Sequence, residues 1–108
     1  MVGRMMRRLG LVLLFVPAIA LAGDIAPTFN QNCAPCHGTD GGANTPAGRS
    51  TKAKDLRSPA VQKKTDEELA NQIRNGKGPM PSFKARFKEA EIGELVAFIR
   101  SLPSKGGK

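Results

Sequence analysis

Within Cys33-Ala34-Pro35-Cys36-His37 lie both cysteines and the only histidine of this 108-residue chain. Two thiols at this spacing can do three kinds of chemistry. They can exchange disulfides, but that use of C-x-x-C belongs with a βαβ setting, and no stretch here alternates as a strand should. They can hold structural zinc, which takes about four thiolate or imidazole ligands; three candidates cluster here and no second pair follows. The third possibility uses all three residues. Thiols separated by two residues can reach two vinyl groups on one porphyrin edge and form thioethers, and the next residue, His37, then falls under the iron as an axial imidazole. The motif is that of covalent haem attachment.

The N-terminus supplies an address. Arg4, Arg7 and Arg8 precede an apolar run from Leu9 to Val16, and Ala20-Leu21-Ala22 has the small-x-small form of a cleavage site. This is the layout of a secretory signal peptide, residues 1–22. Interrupted by Pro17, the apolar run falls short of the roughly 20 residues that cross a bilayer. Cleavage after Ala22 leaves residues 23–108 as one domain with no membrane span, exported to the periplasm. The alternatives are a thylakoid lumen or, without cleavage, a membrane tether. A domain this small is near the limit of what its own core supports. With no Trp or Tyr and four Phe left, a buried haem would supply the missing apolar bulk.

The second axial ligand follows by elimination. No other histidine exists, and thioether sulfur is the other common ligand of c-type haems. Met1, Met5 and Met6 leave with the signal peptide, so Met80 remains, in Gly78-Pro79-Met80-Pro81-Ser82-Phe83. Prolines on both sides fix φ and stiffen the loop. A lone methionine is more often core filler, but this one stands in a Gly/Pro loop between two helical patterns.

Three segments have helical character. One runs from about Pro27 into the haem motif, with Phe29, Cys33 and Cys36 on one face and Gly38 as its stop. A second covers Asp66 to Asn75, opened by a Thr65/Glu68 capping box and closed by Gly76. The third, about Glu89 to Leu102, spaces Ile92, Leu95, Val96, Ile99 and Leu102 along one stripe and ends at Pro103. Gly41 to Pro59, rich in Gly, Pro, Asn, Ser and Thr, reads as a long loop that must wrap something.

Taken together, Phe29 four residues before Cys33, then Cys33 to Gly38, Met80-Pro81-Ser82-Phe83 and a helix ending Val96-Ala97-Phe98-Ile99-Arg100-Ser101-Leu102 resemble a class I monohaem c-type cytochrome over essentially residues 23–108. The resemblance implies an all-α fold, the small cytochrome c fold, with three to four helices wrapped around one covalently attached haem c and its iron. It makes His37 proximal, Met80 distal, and Phe98 the aromatic at the crossing of first and last helices. It also implies a backbone carbonyl on the second ring nitrogen of His37. Pro46 resembles the residue that gives it, with an ordinary turn proline as the competing reading. Two departures stand out: Ile25 or Ala26 where the family often has glycine at the crossing, and Lys88 where Ser or Thr commonly caps the last helix.

With both axial positions filled, the iron changes charge without binding substrate. A peroxidase would need an open site and a distal acid/base, and no spare histidine exists for one. The expected function is therefore single-haem electron transfer in the periplasm and not catalysis. The alternative is a haem c subunit of a larger respiratory or dehydrogenase complex. Fourteen basic residues against nine acidic ones remain outside the signal segment. This surplus suits steering toward redox partners with acidic docking surfaces, with Lys52, Lys54, Lys77 and Lys84 as candidate contacts. Nucleic acid is a poor match, since no basic cluster is interleaved with aromatics. A monomer is expected.

Overall fold

The computed structural model describes residues 24–103; the signal segment expected over residues 1–22 lies outside them. Among the described residues six helices follow in order: α1 (Ala26–Asn32), α2 (Ala34–His37), α3 (Pro46–Thr51), α4 (Pro59–Gln62), α5 (Asp66–Asn75) and α6 (Glu89–Ser101). Among the described residues the only extended pairing is an isolated antiparallel bridge between Lys77 and Met80. None of the helices there is long and apolar enough to cross a membrane.

The all-α expectation holds, with more pieces than the three to four foreseen. The single helix expected through the haem motif is broken at Cys33 into α1 and α2. Pro35 is the physical cause: it has no N–H to give the carbonyl of Gln31, and its ring crowds that carbonyl. Cys33 bends at φ −112°, ψ −38° while its own N–H still reaches Phe29. The stretch from Gly41 to Pro59, expected as loop, contains α3. Thr45 caps it by accepting from the Gly48 N–H at 2.8 Å, and Pro46 fits the first turn. Ser58 caps α4 in the same way.

The longer helices match their patterns. α5 carries the full capping box: the Thr65 hydroxyl accepts from the Glu68 N–H and the Glu68 carboxylate from the Thr65 N–H. At α6, Lys88 has no side-chain acceptor to offer. Half of the box survives, because Glu91 accepts from the Lys88 N–H at 2.8 Å.

Ile92, Leu95, Val96 and Ile99 of α6 are buried against Phe29, Leu69, Ile73, Phe83 and Phe87. Each such side chain contributes about 1.5–3 kcal/mol relative to exposure. Phe29 meets Phe98 with ring centroids 4.7 Å apart, which joins α1 to α6. Two arginines fix α6 on its other neighbours. Arg74 of α5 forks onto Glu89 at 2.9 and 2.7 Å, and Arg100 reaches the Gln62 carbonyl and Asp66.

Candidate haem site

α2 presents the attachment motif as one short turn. Cys33 and Cys36 are unpaired thiols, both half-buried. Burial at Cys33 would push a free thiol there up to about 11. His37 closes the turn, its N–H bonded to the Cys33 carbonyl at 2.8 Å. Gly38 then takes φ +81° and lets the chain leave without a Cβ in the way.

The ring of His37 is oriented by a carbonyl, and the residue that supplies it is not Pro46. Nδ1 lies 2.9 Å from the main-chain oxygen of Lys54. Pro46 instead opens α3. Lys52, in the left-handed region at φ +60°, ends that helix two residues before Lys54, whose carbonyl meets the imidazole. Desolvation lowers the His37 pKa, and the Lys54 contact opposes that shift. A neutral ring with Nδ1 bound to a carbonyl leaves Nε2 free to bind a metal.

α3 buttresses this turn. The Thr45 hydroxyl lies 2.9 Å from the Pro35 carbonyl and 3.0 Å from that of Cys36. Gly48 packs so close that a Cβ there would stand 2.3 Å from the Cys36 oxygen.

Met80 sits in a tight hairpin. Lys77 and Met80 exchange both backbone hydrogen bonds at 2.9 Å. Gly78, at φ +55°, takes the first central position, where a two-residue hairpin needs positive φ. Gly76 passes so close to the returning strand that a Cβ would meet the Met80 oxygen at 2.5 Å. The loop is bonded to the end of α5 through Phe83 N–H to Ile73 O, Lys84 N–H to Arg74 O, and Ser82 Oγ to Arg74 O. The Met80 side chain is half-buried and packs on the same core as Cys33 and Phe98.

Two free thiols, an imidazole with one nitrogen already committed, and a thioether held between prolines suit a covalently attached haem. Sequence reasoning missed three parts of the frame: the Lys54 carbonyl, the Thr45 clasp and a bond from Arg86 to Asn32. Only Thr45 left a trace, as a capping residue before a proline.

Residues 20–99 match the family described as Cytochrome C oxidase, cbb3-type, subunit III. The chain is 36% identical to cytochrome c6 of Leptolyngbya boryana over 81 residues, covering 72% of this chain and 88% of that one. With cytochrome c6 of Bryopsis maxima the identity is 38%, covering 68% and 83%. A solved structure, KustC0563 c-type cytochrome, superimposes with a TM-score of 0.68 at 30% identity, covering 74% of this chain and 98% of that one. The chain belongs to the cytochrome c family. As a small monohaem class I member it carries one covalently bound haem c with its iron, and it is a single-haem electron carrier.

Proposed function

We propose that the protein is a periplasmic shuttle in which Cys33 and Cys36 form the thioethers, His37 Nε2 is the proximal ligand and Met80 Sδ the distal one. The observation that carries this reading is the state of His37: its Nδ1 is held by the Lys54 carbonyl, which fixes the tautomer and leaves Nε2 for iron. When bound, the haem supplies a one-electron Fe(III)/Fe(II) couple.

The protein's own groups set the conditions for that couple. The Lys54 carbonyl makes the imidazole a better donor. Thioether sulfur favours the ferrous state and raises the potential relative to a second histidine. The Gly76–Phe83 segment, bonded to α5, holds the sulfur with little freedom. With His37 and Met80 both on the iron, no position would be left for a substrate, and we read the protein as a carrier and not an enzyme. Lys52, Lys54, Lys77 and Lys84 are all exposed, and they offer docking charges to acidic surfaces on redox partners. We take the carrier to be monomeric and released from its signal peptide after Ala22.

The matched family description is that of an oxidase subunit, which favours a second reading as a haem c subunit of a respiratory complex. Cofractionation from the periplasm distinguishes them: the shuttle runs as a free protein of cytochrome size, the subunit with larger partners.

Attachment is tested on a denaturing gel stained for haem peroxidase activity. Replacing both Cys33 and Cys36 with Ser should abolish the stained band, whereas Met80→Ala should keep it. A stained band surviving in the double variant would overturn the assignment of the thioethers.

A further inference from the structure

The hydrogen bonds described above tie the Met80 loop to α5, the helix that immediately precedes it. Those bonds fix the loop relative to α5 but not relative to the helix that carries the haem motif. Among the described residues, a single hydrogen bond joins residues 76–88 to the segment 26–37 that carries the haem motif. Arg86 Nη1 donates to Asn32 Oδ1 at 2.8 Å, across 54 positions of sequence.

Both ends of this bond are held. Asn32, the residue before Cys33, donates its amide N–H to the Thr28 carbonyl at 2.9 Å, which turns Oδ1 outward. The Arg86 guanidinium lies 5.6 Å from the centroid of Phe83, three residues beyond Met80, and Phe83 stacks on Phe87 at 5.2 Å. A planar cation suits this double task, with one face on an aromatic ring and one edge donating to an amide.

We propose that Arg86 and Asn32 form a latch that holds the Met80 loop against the haem-motif helix, which makes Arg86 a positioning residue for the distal ligand. The inference rests on Met80 being that ligand. It concerns how long the sulfur stays in place and not how a partner docks. Breaking the latch lets the loop open more often, so an external ligand reaches the iron sooner.

The test is the rate at which imidazole binds the ferric holoprotein, followed in wild type, Asn32→Ala, Arg86→Gln and the double variant. Asn32→Ala changes no charge, which separates latching from docking electrostatics. Exposed pairs of this kind couple weakly, so each single variant should accelerate binding about 3- to 5-fold. The double variant should be no faster than the faster single one, because the two residues make one interaction. Asn32→Asp, which keeps an acceptor and adds charge, should bind imidazole no faster than wild type. Unchanged rates in both single variants, or effects that simply multiply in the double variant, would overturn the latch. If Met80 is not the ligand, wild type itself lacks the ferric iron–methionine band and binds imidazole without a loop-opening limit. That outcome overturns the latch together with the reading beneath it, and it is recognisable as such.

Discussion

His37 and Lys54 stand 17 residues apart in sequence and 2.9 Å apart at ring Nδ1 and main-chain oxygen. The contact uses the backbone of Lys54, so its side chain is dispensable for it. What matters is the path of the chain, and that path depends on Lys52 at φ +60°. A β-branched residue is strongly disfavoured there, at a cost of about 1–2 kcal/mol.

Lys52→Val should therefore destabilise the protein by about that amount in denaturant titration and displace the His37 Nδ1–H resonance of the ferrous protein. Lys54→Ala should leave that resonance in place. A resonance moved equally by both substitutions would mean that the Lys54 side chain, not the backbone path, orients the ring.

Two glycines should respond in opposite directions to the same change. A Cβ on Gly48 would stand 2.3 Å from the Cys36 oxygen and 2.6 Å from that of Ala43, both backbone atoms with little room to retreat. Gly48→Ala should cost at least about 1–3 kcal/mol and lower the yield of haem-loaded protein, because it pushes α3 off the attachment turn. Gly93 lies in the exposed face of α6 with nothing within 4 Å of an added Cβ. Gly93→Ala should stabilise by about 0.5–1 kcal/mol through helix propensity and the unfolded chain. Thermal melts of both variants read the contrast directly.

The Arg74–Glu89 fork predicts a pH dependence with a definite sign. The Arg74 hydrogen bond holds the Glu89 carboxyl below its ordinary value of 4.5. A depressed carboxylate contributes stability that is complete above the unfolded value and is lost as pH falls through the folded one. Glu89→Gln should thus be slightly less stable than wild type at neutral pH, with the gap closing as pH drops below about 4.5. Both groups are exposed, so the effect is small and is best read as convergence of the two acid-unfolding curves. A gap that widens on acidification would contradict the pairing.

Much of this architecture was legible in the sequence because residue types carry it. The Thr65/Glu68 box and the stripe from Ile92 to Ile99 set α5 and α6 close to their observed bounds. Ligand chemistry singled out Met80 as the proposed distal ligand, and the structure shows what its Gly/Pro loop does: Gly76 admits a strand that any Cβ would push away. Lys88 read as a missing cap, and Glu91 supplies half of the compensation. The helix break at Cys33 was also written in the chain, at Pro35, although the spacing of Phe29, Cys33 and Cys36 suggested continuity. The Lys54 carbonyl was not legible at all. Every residue carries a backbone acceptor, so no residue type marks the one that a distant ring will meet. Which carbonyl reached His37 depended on α3 and on one left-handed residue, and neither follows from composition.

The visible spectrum of the protein recovered from the periplasm, oxidised and reduced, tests the central assignment most directly when wild type is compared with Met80→Ala. A c-type ferrous α band in both, with the weak ferric iron–methionine charge-transfer band in wild type alone, is the expected result. A charge-transfer band that persists in Met80→Ala, or periplasmic wild type with no haem bands, would contradict it.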